Sequence, residues 1–496
     1  MLPSIAYAKW LRAETRHFII YSAGSSKQLT GFATSLERFD AVLQRRFLVP
    51  ASNNPTKLTI YFLASQDAVA KLYGDKSGMV AGFYSTRKEG TFAVANRSQS
   101  DGIWDLDGMT VLFHEYAHHF MFRNFTYAYP SWYVEGFAEY LSTATFGSDG
   151  SWTLGRPAFH RAYGLLAGRK LPIERLLFGG TEFKNDEEAD LFYGRSWLLV
   201  HMLSMKPEYK DKLSAYFAAI QAGKPDREAA TEAFGDLNTL DKALDIYLKR
   251  SMTYYSSKKP VEADLAVSVT ELDPVAGDLV MFRLNRMKGN GTEKSLAELR
   301  ALAAANPARA DAWYELALTE RDMASDKEKA ERSAAELAAE AAVDRALASD
   351  PNHVRANVLK ADILLKRLEA DGETAPAKWS AARKFLITAN KYAVDDPLVL
   401  SAWYDSYVYQ HKTPTEVARA ALARAFDLAP EVTDLRVQLA FDLADQGKFD
   451  EAIRLVQFLA HDPHTGKQGQ AVLDQLESMR RDARPGGLEA PATKGT

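Results

Sequence analysis

Residues 111–140 read VLFHEYAHHFMFRNFTYAYPSWYVEGFAEY, and the rest of the chain is placed by reference to them. Within the stretch, His114-Glu115-Tyr116-Ala117-His118 spells H-E-x-x-H. Side chains four apart on a helix share a face, so the two imidazoles can converge on one metal ion. Glu115 lies about 100° further round the helix. That is too far to join the histidines easily as a ligand, yet it can reach a water on the open side of the metal. Two neutral imidazoles with an open position suit a catalytic zinc, and such a glutamate acts as general base.

The flanks predict a helix here and a third ligand nearby. Asp107 is placed to cap the helix, and no Pro interrupts residues 109–123. Phe113, Ala117 and Phe120 form an apolar stripe beside the histidines. That is the pattern of a buried helix, where an unpaired imidazole is costly. Three fixed positions in five do recur by accident in long chains, but the next element argues against accident. Trp132-Tyr133-Val134-Glu135-Gly136-Phe137-Ala138-Glu139 predicts a second helix, with Ser131 as N-cap behind Pro130. Glu135 can complete a His, His, Glu set. Glu139, one turn on, can accept the second N–H of a ligand histidine and fix its tautomer.

At these residues the chain resembles the gluzincin metallopeptidases, the thermolysin and aminopeptidase N group, in which H-E-x-x-H is followed by W-x-x-E-G-x-A. The resemblance implies His114, His118 and Glu135 as ligands of one Zn(2+) per chain, Glu115 as catalytic base and Glu139 as the acid behind a ligand. The sixteen residues between His118 and Glu135 make a slightly shorter connection than in aminopeptidase N. A later segment, Tyr193-Gly194-Arg195-Ser196-Trp197-Leu198-Leu199-Val200-His201-Met202-Leu203, resembles the family's Y-x-K-G-x-x-V-L-x-M-L, with Arg195 for Lys and Ser196 for Gly. That match implies Tyr193 as hydroxyl donor to the oxyanion at the scissile carbonyl, where zinc alone leaves charge uncompensated. The competing reading of Tyr193 is a core residue opening an apolar helix. His201 falls where the family uses no residue and is read as structural.

At 496 residues the chain is too long for one ordinary core, so two or more domains are expected. A net charge of −4 gives no reason to invoke nucleic acid or an anionic membrane surface, and no apolar run is long enough for a transmembrane segment. Cysteine is absent, which excludes disulfides and thiolate ligands and leaves imidazole and carboxylate to hold a metal. Ala6-Tyr7-Ala8 resembles the end of a signal peptide ahead of Lys9-Trp10, although the basic and apolar regions before such a site are missing. The expectation is an exported protein, with a cytoplasmic one as the alternative.

Along the chain, residues 16–22 and 57–63 predict strands around a helix over about 27–47, followed by a short helix at 66–74 and strands at 82–85 and 91–96. This is the gluzincin N-terminal arrangement, an α+β fold with a small mixed sheet ahead of a mainly helical half. In the family the last strand is the sheet edge and holds substrate backbone by strand addition. Phe92-Ala93-Val94-Ala95-Asn96 is the nearest match to the Gly-Ala-Met-Glu-Asn segment of aminopeptidase N. It offers Asn96 and Ala95 as substrate-binding positions, against the alternative of an edge strand with no special role. The Glu that grips a free amino terminus is replaced by Ala95, and Glu89 lies in the turn before.

Residues 257–272 read as a polar link, so the catalytic domain is placed at 10–260. Beyond it, Ala- and Leu-rich helix pairs are punctuated by Pro307, Pro351, Pro397, Pro430 and Pro463. The last two intervals, 33 residues each, are close to the roughly 34-residue tetratricopeptide period. Ala317, Ala361 and Ala440 each stand ten residues after a proline, where paired helices approach closely. Residues 273–481 therefore read as an all-α, tetratricopeptide-like repeat domain, with an irregular helical bundle as alternative, and 484–496 as a disordered tail. The Ala/Glu/Arg-rich residues 330–348 read as a long solvated helix.

The expected function is a zinc peptidase acting on a peptide or protein, with a protein partner on the helical repeats. Lack of a carboxylate at Ala95 favours an endopeptidase over an aminopeptidase. The rival is an interaction scaffold with a weakly active or inactive metallopeptidase-like domain. Retention of Glu115 weighs against the rival, because that residue does nothing for metal stability.

Overall fold

Short runs rich in Ile, Phe, Tyr and Val suit a pleated, half-buried surface, and three of them, at 18–22, 58–63 and 92–96, lie inside one sheet. The computed structural model describes residues 9–50, 56–98, 106–125, 128–167, 169–324, 329–461 and 466–483. Ala6-Tyr7-Ala8, Pro463 and the tail 484–496 lie outside the described residues. The chain opens with β1 (Leu11–Glu14), β2 (Phe18–Ser22), α1 (Ser26–Phe47), β3 (Leu58–Leu63), α2 (Gln66–Tyr73), β4 (Gly82–Ser85) and β5 (Phe92–Asn96). Next come α3 (Gly108–Asn124), α4 (Ser131–Ser142), β6 (Thr145–Phe146), β7 (Trp152–Leu154), α5 (Ala162–Ala167), α6 (Ile173–Phe178), α7 (Asp186–Met205), α8 (Lys210–Gln221), α9 (Asp226–Phe234), α10 (Leu237–Leu248) and β8 (Tyr255–Ser257). Then follow β9 (Ser268–Glu271), α11 (Pro274–Met287), α12 (Glu293–Ala305), α13 (Ala310–Ala324), α14 (Lys329–Ser349), α15 (Val354–Ala370), α16 (Pro376–Tyr392), α17 (Pro397–Val408), α18 (Glu416–Leu428), α19 (Thr433–Asp445), α20 (Phe449–Val456) and α21 (Gly466–Asp482). The chain is thus mixed α and β, with a small sheet and many helices.

Two compact units are present, one drawn from residues 1–34, 52–97 and 266–435, the other from 35–51, 98–265 and 436–496. In the first, the sheet runs β4-β5-β3-β2-β1-β9. β2, β3 and β5 are parallel, and β4, β1 and β9 pair antiparallel to their neighbours. The expectation that Phe92–Asn96 is the sheet edge is overturned: β5 pairs with β3 on one side and β4 on the other, and all five of its residues are buried. A run apolar at nearly every position belongs in a strand covered on both faces. The edge is β4, where Gly82 stands opposite Ala95.

One face of the sheet packs on helices that are about two hundred residues apart in the sequence. Tyr61, Phe83, Phe92 and Val94 meet Val69 and Leu72 of α2 and Val280 and Leu284 of α11 in one apolar cluster. Ser65 caps α2 by accepting from the Ala68 N–H, and Gly74 ends it in the left-handed conformation at φ 88°. The stretch that reads as a polar link holds β9 and follows directly on β8. β8 pairs with β7, and β9 pairs with β1, Leu11 standing opposite Glu271. Both strands are short and mostly exposed, so no apolar alternation marks them.

After β9 the helices pack as neighbours, α13 on α14, α15 on α16 and α17 on α18. Pro307, Pro351 and Pro430 fall in the turns before α13, α15 and α19, while Pro397 is the first residue of α17, behind the Asp396 cap. Ala317, Ala361 and Ala440 are fully buried. Residues 330–348 lie in one long helix as expected, exposed on one side, but its other side is not solvated, since Ala335, Ala339, Ala342, Val343 and Ala346 of α14 are buried. Among the described residues no helix is long and apolar enough to cross a membrane.

Candidate metal centre

The second unit holds the H-E-x-x-H helix, and its cap and apolar face fix how it lies. Asp107 caps α3, its side chain accepting from the Thr110 N–H at 2.7 Å. Phe113, Tyr116 and Phe120 turn toward the 39–47 part of α1. Phe113 meets Phe39 at 4.2 Å between centroids, Phe120 meets Phe47 at 5.9 Å, and Tyr116 donates its hydroxyl to the buried Asp40 at 2.5 Å. His114 and His118 share a different face, their rings 4.8 Å apart.

Helix α4 brings the carboxylates. Its N-cap is Pro130 rather than Ser131: the Pro130 carbonyl accepts from the Tyr133 and Val134 N–H groups, and Ser131 is the first helical residue. Glu135 and Glu139, one turn apart, are both buried. Helix α7 begins at Asp186, capped by Asn185, so Tyr193 lies within the helix and does not open it. The two helices touch where their side chains are smallest. A methyl group on Gly136 would come within 2.5 Å of the Ser196 backbone oxygen. Gly136→Ala is therefore expected to push α4 off α7, costing about 1–3 kcal/mol and displacing the adjacent Glu135. Thermal melts and zinc titration of that variant check this, and an unchanged melting temperature would show that the contact can relax.

Three donor atoms converge. His114 Nε2 lies 3.1 Å from His118 Nε2, and Glu135 Oε2 lies 3.4 and 3.5 Å from those two nitrogens. Four-coordinate zinc with bonds of about 2.0–2.1 Å has ligand atoms about 3.3–3.4 Å apart. The triangle has that size, and imidazole with carboxylate is a donor set zinc accepts, so the residues present fit the ion.

The surroundings are strongly negative. Burial disfavours a charged His114, but Glu135 and Glu139 outweigh it and hold its pKa up at about 10. Burial likewise opposes ionisation of Glu135, and the two histidines outweigh it to keep the carboxylate charged. Glu115 is half-buried and outside the triangle, and its charge is felt at both His114 and Tyr193. The Tyr193 ring stands 6.3 Å from that of His114. The charge of Glu135, then burial, push the Tyr193 phenol well above its ordinary value, so it stays protonated and able to donate.

Glu139 lies behind His114, with Oε1 3.4 Å from Nδ1. Two residues that the sequence did not single out hold it. Arg161 grips both of its oxygens, Nη2 to Oε1 at 2.6 Å and Nε to Oε2 at 3.2 Å, and His160 Nε2 reaches Oε2 at 3.0 Å. Burial opposes the ionised Glu139 too, and Arg161, His114 and His160 outweigh it. Both residues sit in a 3₁₀ turn, Phe159–Arg161.

The remaining residues have other partners. Ala95 and Asn96 belong to the other unit, buried in β5, where the Asn96 amide donates to the Ala81 carbonyl at 3.4 Å. Arg195 turns to α10, pairing with Asp241 at 2.7 Å and Asp245 at 3.1 Å. His201 is fully buried between the Tyr247 hydroxyl at 2.8 Å and the Gly155 carbonyl at 2.9 Å. Neither a protein-family model nor a curated protein matches the chain.

Proposed function

We propose that this protein is a zinc-dependent peptidase of the gluzincin type, and an endopeptidase rather than an aminopeptidase. The observation that carries the reading is the triangle of His114 Nε2, His118 Nε2 and Glu135 Oε2, with sides of 3.1–3.5 Å. One zinc ion per chain, held by those atoms, would supply a Lewis acid for the scissile carbonyl and a water acidic enough to react near neutral pH. Glu115 takes the proton of the attacking water on its carboxylate and returns it to the leaving amine. Tyr193 donates its hydroxyl to the carbonyl oxygen as negative charge builds there. Glu139 keeps the proton of His114 on Nδ1 and so leaves Nε2 as the ligand atom.

Preference for internal bonds rests on missing charge. A free ammonium held in a cleft needs a carboxylate partner, and the sequence position that matches the amino-terminus-gripping Glu of the resembling family is Ala95. Glu89, in the turn between β4 and β5, faces a cavity of about 670 Å³ lined by residues of α13, α15 and α17. Those later helices, with Ala317, Ala361 and Ala440 buried, fit a tetratricopeptide-like array that receives a protein partner.

The test is hydrolysis of a mixed peptide set, each peptide with a free and an acetylated amino terminus, with and without a zinc chelator. Cleavage within acetylated peptides that stops on chelation is expected. Release of single residues only from free amino ends would overturn the endopeptidase reading, and hydrolysis indifferent to chelator would overturn the zinc reading.

Within this reading, Tyr193→Phe deletes one hydroxyl and little volume. Among the described residues that hydroxyl makes no hydrogen bond to protein that the fold would lose. The expected result is a kcat lower by about a hundredfold with KM nearly unchanged. An unchanged kcat would return Tyr193 to the core.

A further inference from the structure

We infer that Arg161 is a positioning residue of this site, setting the ligand histidine His114 and the hydroxyl donor Tyr193 in one fixed relation. The inference rests on the peptidase reading and adds to it a residue from outside both motifs.

All three guanidinium nitrogens of Arg161 have partners. Nε and Nη2 fork onto the two oxygens of Glu139 at 3.2 and 2.6 Å. The oxygen bound by Nη2 is the one that lies 3.4 Å from His114 Nδ1. The third nitrogen, Nη1, binds Asp190 Oδ1 at 3.0 Å. Asp190 stands three residues before Tyr193 on α7, and the Arg161 guanidinium carbon lies 5.0 Å from the centre of the Tyr193 ring. One rigid, planar group thus touches the carboxylate that orients the ligand and the ring that carries the donor.

The turn that carries Arg161 is itself pinned. A methyl group on Gly164 would meet Asp190 Oδ2 at 2.3 Å, and one on Gly194 would meet Leu165 Cγ at 3.0 Å. Segment 159–167 therefore lies hard against α7, and Arg161 has little freedom to move away from Tyr193. An ion pair that served only to join α4 to α7 would need one acid on each helix. It would not need a fork that selects the orientation of Glu139, nor a face turned to the tyrosine. Bidentate geometry is a property of arginine that lysine lacks.

The experiment compares full-length wild type, Arg161→Met and Arg161→Lys. It reads zinc affinity by competition with a chelating dye, kcat and KM on a peptide the wild type cleaves, the absorption spectrum of the cobalt-substituted protein, and the melting curve. For folded Arg161→Met, zinc affinity is expected to fall by about tenfold or more, as for loss of other partners behind a metal ligand. Its kcat should fall by about a hundredfold with KM changed little, and the cobalt spectrum should shift. Arg161→Lys keeps the charge without the fork, so it should recover less than half of either loss on a logarithmic scale. If Arg161→Met fails to fold, Arg161→Lys decides the question by the same readouts. Zinc affinity and kcat within about twofold of wild type in either folded variant would overturn the role of Arg161 alone. Wild type that takes up no zinc and cleaves no peptide would instead overturn the peptidase reading, and this inference with it.

Discussion

Glu115→Gln is expected to keep about one zinc per chain and an unchanged melting curve while kcat for peptide hydrolysis falls by about a thousandfold. The substitution preserves shape and removes only the ability to take a proton. Glu115 lies outside the three-atom triangle, so no ligand is lost. Its charge is nevertheless felt at His114 and Tyr193. Metal analysis, a thermal melt and a kcat measurement on one preparation separate the possibilities. Loss of zinc in the variant would mean that Glu115 supports the metal, and an undiminished kcat would remove it from proton transfer.

Glu135→Ala should have the complementary outcome, with zinc lost and the helices retained. It removes the only carboxylate in the triangle and leaves two imidazole nitrogens 3.1 Å apart. The fall in zinc affinity should exceed the roughly 10–100-fold expected when an outer partner such as Glu139 is altered. Dye competition on Glu135→Ala and Glu139→Gln side by side gives that ordering directly. Equal affinities in the two variants would show that the third ligand has been assigned to the wrong glutamate.

Of the features brought together here, those encoded by local geometry were legible in the sequence. The i, i+4 spacing of His114 and His118 places them on one face of any helix, and Asp107 caps that helix as its position predicts. Glu135 could be read because a motif ties it to the histidines. Arg161 and His160 could not, since an arginine and a histidine twenty-odd residues beyond Glu139 carry no local signal, and only the tertiary course of a 3₁₀ turn brings them back. The edge of the sheet was misread for a reason visible in composition. Phe92-Ala93-Val94-Ala95-Asn96 has almost no polar position to face solvent, whereas Gly82-Phe83-Tyr84-Ser85 buries one residue in four. A similar lesson holds for α14, where small alanines rather than large apolar residues form the buried stripe.

The sheet begun at Leu11 is completed only at Ser268–Glu271, and its apolar face needs Val280 and Leu284 of α11. Recombination between residues 257 and 268 would consequently not deliver an interchangeable cassette. A gene truncated there would encode β1 with a raw edge open to aggregation, with Tyr61, Phe83 and Phe92 stripped of partners from α11. The amino-terminal strands and the helix that follows β9 must therefore be kept together in any fragment meant to fold.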